Sequence, residues 1–317
     1  MIKKTIFGLA AAAMIFSGCA GEQDGRTSIT IGTAGAAGTY FIIGAAMAQT
    51  VNNHSDFLNV TAQVTMGSVQ NLNLVNMGEI EFGMSNADGV YWATTGTGMF
   101  DGMPLNISAV MTLYLSVGQI ATHTRTGIES WADLRGRRVV LGPPGTTIIE
   151  MSRAILRGYG IDPDNDITPI FLSFAEGLSE LIDGTVDASF FVAAAPTAAM
   201  VQATATGSVF LLDATPEILE NVSAEHPFFL PFSIPVGTYP GMDRDINTLK
   251  IMTEIFANNN VPEDVVYEFL RITLDNTGDF VDSHVAAQEI NLETAASSVS
   301  RYHPGAVRFF RERGVMP

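Results

Sequence analysis

Three loops of the chain carry residue types suited to binding an anion or a small polar molecule. Residues 32–40 have the glycine spacing G-x-x-G-x-x-G, follow a predicted strand and open a predicted helix. Residues 67–71 and 142–147 repeat this order, with glycine after a strand and a hydroxyl residue near a helix start. Glycine lets the backbone approach a ligand, and the free N–H groups of a helix N-terminus attract an anion or a carboxylate. The spacing therefore predicts a ligand site, with a tight turn that binds nothing as the alternative for the first loop.

Polar side chains in and beside these loops are candidate ligand contacts. Ser68 either acts as a plain helix cap or caps the helix and also contacts the ligand. Asn86 ends the third predicted strand and is a further candidate, whereas Asp88 equally well caps the next helix. Proline and glycine fix the 142–147 loop, which leaves the hydroxyls of Thr146 and Thr147 facing the expected cleft.

The sequence contains no convincing catalytic set or metal centre. The five histidines stand in no motif that would pair one of them with a nucleophile and an orienting carboxylate. A dinucleotide site would need G-x-G-x-x-G and an acidic residue after the second strand, which ends at residues 65–67 without one. The acidic cluster at residues 162–166 has calcium-like spacing but lacks the glycine and distal glutamate of a calcium loop, so a solvated turn is favoured. We expect a protein that is not an enzyme and uses no cofactor or metal.

Composition narrows the class further. The 317 residues are 47% hydrophobic, which is enough for large cores and about two domains. Lys and Arg number 16 against 33 Asp and Glu, for a net charge of −17. Nucleic acid is excluded as a partner, because its binding depends on basic charge that neutralises phosphates.

The N-terminus has the layout of an export signal. Lys3 and Lys4 precede an apolar run and then the small residues that end at Cys19, the only cysteine. The run is about half the length of a membrane-spanning helix. Residues 16–19 resemble the lipobox of a bacterial lipoprotein signal, which implies lipidation of Cys19; a cleaved signal with an incidental cysteine is the alternative. We predict a signal peptide at residues 1–18, a lipidated tether at 19–27 and an extracytoplasmic, lipid-anchored protein.

Strands and helices alternate along the rest of the chain, which is typical of an α/β fold with crossover helices. The pattern runs to a long apolar strand at residues 107–120 and then restarts. It predicts two lobes, one of residues 28–115 and 233–317 and the other of residues 116–232. In open α/β sheets ligands bind outside the carboxyl ends of the strands, so we expect the site in a cleft between the lobes. Helices are predicted at residues 68–77 and 280–287, among others, and a connection between the units at 230–239.

Six motifs occur in an order that resembles the TAXI family of solute receptors for TRAP transporters, over the whole chain from about residue 28. They are I-G-T…G-T-Y at 31–40, G-S-V-Q-N at 67–71, D-L-R-G-R-R-V at 133–139, D-G-T-V-D-A at 183–188, P-V-G-T-Y at 235–239 and H-P-G-A at 303–306.

The resemblance implies a type II periplasmic-binding-protein fold with a hinge and an interlobe ligand cleft. It also implies capture of a small organic solute, such as glutamate or a related carboxylate, for an ion-driven TRAP membrane permease. The ligand region of the family, together with the loop glycines, maps onto the following residues: Thr33, Gly38, Thr39, Tyr40, Ser68, Asn71, Asn86, Gly145, Thr146, Thr147 and Tyr239.

Two departures from the family pattern bear on the ligand. The family has G-S-G-T in the second-lobe loop, where this chain has Gly145, Thr146, Thr147 and Ile148, and it has glycine where this chain has Ala194. Both changes narrow the cleft or alter its polarity. No arginine falls in the predicted loops, so either helix N-termini and hydroxyls hold an anion or the ligand is less charged than glutamate.

Three other functions remain alternatives at the level of sequence. They are a ligand sensor for a membrane kinase, an enzyme on the same fold such as a thiamine-precursor synthase, and an adhesive surface lipoprotein. The export signal disfavours the enzyme, and an adhesin does not need glycine- and hydroxyl-rich loops in both lobes. We expect a monomer with a small organic solute, a TRAP permease and the membrane as its partners.

Overall fold

A computed structural model describes residues 25–36, 38–143 and 146–316 of the chain. The predicted signal peptide, Cys19 and most of the predicted tether lie outside these residues, as does Gly145.

The described part of the chain alternates strands and helices. Its strands are β1 Thr27–Gly32, β2 Leu58–Gln63, β3 Phe82–Asn86, β4 Ile107–His123, β5 Arg138–Val140, β6 Thr168–Ile170, β7 Ala188–Ala193, β8 Val209–Leu211, β9 Leu230–Ile234 and β10 Ile246–Asn258. Its α-helices are α1 Thr39–His54, α2 Ser68–Met77, α3 Ala87–Thr95, α4 Ile148–Gly158, α5 Phe174–Asp183, α6 Ala198–Thr204, α7 Pro216–Glu225, α8 Glu263–Asp275, α9 Leu292–Ala295 and α10 Pro304–Glu312.

The strands form one curled sheet with the order β2-β1-β3-β10-β4-β7-β5-β6. At one end β1 runs parallel to β2 and β3, and at the other β5 runs parallel to β6 and β7. Between these parallel groups, β10 is antiparallel to β3, and β4 is antiparallel to β7. Each parallel group is a separate α/β unit, and the two central strands connect the units.

Strands β4 and β10 are long enough to run through both units. Strand β4 has 17 residues and β10 has 13, and they pair antiparallel from Lys250 opposite Val117 to Asn258 opposite Ile107. Nearly every residue of β4 is buried, which agrees with its continuous apolar sequence. Because both strands cross from one unit to the other, they are the shared framework beneath any cleft between the units.

The apolar core consists of three clusters. Phe82, Phe269, Phe309 and Phe310 are fully buried in a cluster beside β1–β3, where α8 and α10 also pack. A second cluster is shared by the two units, because it joins residues of α2 and α3 to residues of β7 and α7. The third lies beside Phe191 in the second unit.

Local sequence signals determine several helix boundaries. Helix α2 begins after Gly67, at φ 101°, and ends at Gly78, at φ 73°. Both angles lie in the region that only glycine adopts without strain, so the prediction of a helix over residues 68–77 is confirmed.

The predicted helix at residues 280–287 is wrong. The chain there forms two short 3₁₀ turns, separated by His284 in extended conformation. The predicted connection at residues 230–239 contains strand β9, which pairs with β10. In the described part of the chain, no helix combines the length and the apolar character needed to span a membrane.

Candidate functional site

A cavity of about 490 Å³ lies where the loops at the carboxyl ends of β1, β2, β3, β5 and β7 meet. Its volume falls in the range of small-molecule sites. The floor includes Tyr114 and Ser116 from β4. Most of the remaining lining comes from the strand-end loops of both units: Ala34, Gly38, Thr39, Tyr40, Met66, Gly67, Ser68, Asn86, Pro143, Thr146, Ile148, Phe174, Val192, Ala193, Ala194, Pro196 and Thr197.

Four helices begin at this cavity without a side-chain cap. Helices α1, α2, α3 and α4 have Gly38, Gly67, Asn86 and Thr147 at their N-cap positions, and none of these makes a side-chain cap hydrogen bond. Helices α5 and α6 also begin here, but hydroxyl side chains cap both of them. The first N–H groups of an uncapped helix need partners from outside the helix. Together with the aligned peptide dipoles, they make this part of the cavity attractive to an anion.

Tyr40 and Asn86 form a polar pair in the cavity wall. The Tyr40 hydroxyl donates to Asn86 Oδ1 at 2.8 Å and connects the start of α1 to the end of β3. Burial raises the pKa of Tyr40 well above its ordinary value, and the nearby Asp88 and Glu254 raise it further. The phenol therefore remains a neutral hydrogen-bond donor at physiological pH.

The structure brings six of the eleven predicted site residues to this cavity: Gly38, Thr39, Tyr40, Ser68, Asn86 and Thr146. Contact of these residues with a ligand stays a prediction. The Thr146 hydroxyl donates to Pro143 O at 2.8 Å, so it holds its own loop. Gly145 lies outside the described residues.

The other four predicted residues lie elsewhere. Thr33 is buried, and its hydroxyl donates to Gln63 O at 2.6 Å. Thr147 is buried at the start of α4. The Tyr239 hydroxyl donates to Gln119 Oε1 at 2.7 Å and accepts from Thr197 N at 3.2 Å, while the residue lines a different cavity of about 420 Å³.

Asn71, the remaining one of the four, is fully buried and holds three segments of backbone together. Its amide donates to Thr33 O at 2.7 Å and to Met84 O at 2.8 Å, and its Oδ1 accepts from Thr65 at 2.7 Å. These bonds connect the ends of β1, β2 and β3. Asn71 therefore positions the loops that line the cavity, and it does not itself line the cavity.

Tyr114 was not among the site residues predicted from the sequence. Tyr114 is 1% exposed and lines the cavity, and within the described structure its hydroxyl has no hydrogen-bond partner. Burial raises its pKa well above the ordinary value. A phenol in the middle of the apolar β4 sequence was the available signal, because a crossing strand passes beneath the cleft.

The cavity contains little charge. Of the described residues that line it, His284 alone has an ordinary pKa near neutrality, and burial lowers that pKa. Its Nδ1 accepts from Ala286 N at 3.1 Å. No lysine, arginine, aspartate or glutamate lines it in the part of the chain that the structure describes. Any anion here would be held by N–H groups and hydroxyls.

Two buried carboxyl groups lie close to the cavity wall. Asp88 is 1% exposed, and burial raises its pKa to about 7 despite the nearby Thr147 hydroxyl. Glu254 on β10 is equally buried, and burial, with a smaller effect of the nearby Asp88, raises its pKa to about 7. Both carboxyl groups raise the pKa of Tyr40, which places them near its hydroxyl. They oppose the binding of an anion when they ionise.

Comparison with known proteins agrees with this architecture. The NMT1-like family matches residues 31–314. MatC from Rhodopseudomonas palustris, solved with bound malate, is 14% identical, with a TM-score of 0.53 over 82% of this chain and 88% of MatC. A TctC solute-binding protein from Polaromonas is 15% identical, with a TM-score of 0.51 over 91% of this chain and 97% of that protein.

A structure described as a periplasmic transporter is 12% identical, with a TM-score of 0.54 over 90% of this chain and 92% of that chain. At these identities the likeness concerns the fold alone. The predicted α/β fold, with the two lobes of a periplasmic binding protein, is confirmed.

Proposed function

The chain belongs to the NMT1-like family, and from that premise we propose that it is an extracytoplasmic solute-binding receptor of a membrane transporter. The observation that carries the proposal is the interlobe cavity of about 490 Å³, onto which four helices without side-chain caps open. Such a cavity can bind a small organic solute through a carboxylate. We place the receptor in the TAXI type of TRAP system because six sequence motifs resemble that family.

Uncapped helix starts account for the binding of a carboxylate without arginine. Helices α1 and α2 have glycine at the N-cap and no acidic residue in the first turn, so no side chain caps their first N–H groups. Partial positive charge at a helix N-terminus stabilises a carboxylate by up to about 2 kcal/mol where the site is partly buried. Two such helices on one wall can hold one carboxylate group.

Closure of the lobes completes the proposed receptor. The proposed lobes are residues 28–115 with 233–317, and residues 116–232. Each lobe has a cluster mainly its own, around Phe82 in one and Phe191 in the other, and β4 and β10 are the crossings in which a hinge would bend. Small-angle scattering should report a smaller radius of gyration with solute, whereas identical profiles at saturation would count against closure.

A lipid anchor would keep the receptor close to a membrane permease. We propose that Cys19 carries the lipid anchor, because it follows an apolar run and stands at the end of a lipobox-like sequence. The processed chain would then have 14 basic and 33 acidic residues, a net charge of −19, with Lys250 as its only lysine.

A thermal-shift panel tests the receptor proposal. The processed protein is unfolded and refolded to remove bound solute and is then heated with single amino acids and carboxylates. A solute at 100 times its Kd adds about 2.7 kcal/mol to the free energy of unfolding. For a chain of this size that corresponds to a rise in Tm of about 5 °C. The receptor proposal is wrong if no compound of the panel and no solute released on unfolding raises the Tm.

A further inference from the structure

The Tyr114 hydroxyl is an unused donor in the floor of the cavity. It is 1% exposed and makes no hydrogen bond to any described residue, although the cavity lies directly beside it. A buried hydroxyl without a partner is costly, so structures normally supply a partner for it. Because the residue lines the cavity, an acceptor atom of the solute can be that partner.

Hydroxyl groups lie near this donor, together with the carboxylate of Glu289, which accepts from Leu115 N at 2.8 Å and raises the pKa of Tyr114. The hydroxyls of Ser116 and Thr253 lie 3.4 Å apart, and Thr253 is close enough to lower the pKa of Tyr114. Tyr40 is near enough to raise it, and it opens the uncapped helix α1. The Tyr114 donor and the start of helix α1 therefore line the same cavity, which suits a single carboxylate.

A second anionic group would have less favourable partners, because α3 and α4, the other two helices without side-chain caps, have Asp88 and Glu150 in their first turns. The rest of the lining is largely apolar, with Met66, Ile148, Phe174, Val192 and Ala194 among its residues. Asp88 and Glu254 lie near Tyr40, and their ionised forms repel anions. Burying an unpaired carboxylate against such a surface is strongly unfavourable, whereas an alkyl or aryl group gains from it.

We infer that the solute is a monocarboxylate with an apolar carbon body, and that Tyr114 determines this specificity by donating to the carboxylate. This inference rests on the receptor function proposed above and names the substrate class of the same cavity. It departs from glutamate, because a second carboxylate would lie against apolar side chains.

Matched pairs of carboxylates test the substrate class. Titration calorimetry on the processed, solute-free protein would compare pentanoate with glutarate, and phenylacetate with 4-carboxyphenylacetate. Each pair differs chiefly in the second carboxylate. We expect the monocarboxylate of at least one pair to bind 10-fold or more tightly than its partner. A dicarboxylate that binds as tightly as its matched monocarboxylate, or more tightly, overturns the inference but leaves the receptor function intact.

Replacement of the donor tests the role of Tyr114. Tyr114→Phe removes a hydroxyl that has no hydrogen-bond partner among the described residues, so the Tm of the solute-free variant should equal or exceed that of the parent. Affinity for the preferred monocarboxylate should fall about 10- to 100-fold, the usual effect of losing a hydrogen bond to a charged group. Tyr267→Phe, which removes a hydroxyl bonded to Glu312 on the surface, is the matched control.

The outcomes separate the two proposals. Unchanged affinity in Tyr114→Phe overturns the specificity role, because the variant alters only this hydroxyl. A variant that fails to fold contradicts the inference as well, since the hydroxyl would then be structural. No binding by any carboxylate or by any solute released from the protein overturns the receptor function, and the substrate class with it.

Discussion

Asn71→Ala tests whether this asparagine holds the site together or contacts the solute. The side chain is fully buried and makes three hydrogen bonds of 2.7–2.8 Å, to Thr33 O, Met84 O and the Thr65 hydroxyl. Each such bond contributes about 1 kcal/mol net, and a buried group left without its partner costs somewhat more. Three lost bonds should therefore lower the free energy of unfolding by about 3–4 kcal/mol.

The measurement is the Tm of the solute-free protein, with urea unfolding as a second observable. A loss of 3–4 kcal/mol corresponds to a fall in Tm of about 5–7 °C. Asn73→Ala is the matched control, because Asn73 is exposed on the same helix and makes one bond, to Val69 O at 3.0 Å. Its effect should stay within about 0.5 kcal/mol.

A different result would refute this reasoning. If Asn71→Ala melts like Asn73→Ala but loses solute affinity, Asn71 contacts the ligand, as the family resemblance predicts. If the variant loses both stability and affinity, its unfolding is measured again with the solute at high concentration. A bound solute that restores the stability separates the loss of stability from the loss of affinity.

Three further predictions concern pH, packing and the anchor. Asp88 has a pKa of about 7 in the folded protein against an ordinary 3.8, so the folded state holds the proton more tightly. Its contribution to stability is complete below pH about 4 and falls by up to about 4 kcal/mol as pH rises to 7; Asp88→Asn should remove that part of the slope, as urea unfolding across pH 4–8 would measure. Gly305→Ala should lower Tm, because its Cβ would lie 2.3 Å from Glu263 O, with an expected cost of about 1–3 kcal/mol. Cys19→Ala should move the protein from the membrane to the soluble fraction on cell fractionation.

Each of these predictions has a control and a contradicting result. Asp101→Asn, at an exposed position, should leave the pH slope unchanged; an equal slope in Asp88→Asn and the parent would rule out Asp88 as its source. Gly278→Ala meets nothing within 4 Å and should be tolerated, so equal Tm values for both glycine variants would contradict the packing argument. Retention of Cys19→Ala at the membrane, with Ser17→Ala as control, would exclude the lipid anchor.

Local signals made part of the fold predictable. Gly67 and Gly78 bracket α2 and adopt positive φ, so a short sequence window contains both boundaries. Helix α7 was not assigned, although Thr215 and Pro216 form a recognisable helix start there. The predicted helix at 280–287 had the apolar pattern but no signal for the extended backbone at His284.

The site was predictable where it depends on single strand ends, and not where it depends on pairing across the sheet. The loops containing Gly38, Ser68 and Thr146 follow strands in the sequence, and α/β topology brings such loops to one edge. Tyr114 meets the cavity only because β4 pairs with β10, from about 140 residues later in the chain. The register in which β4 pairs with β10 cannot be predicted from the local sequence of either strand.

A crystal structure of the processed protein with its tightest monocarboxylate is the most direct test of solute capture. We expect solute in the interlobe cavity, with the carboxylate at the starts of α1 and α2 and one oxygen within hydrogen-bond distance of the Tyr114 hydroxyl. Solute bound outside this cavity, or a carboxylate turned away from both helix starts and from Tyr114, would contradict it.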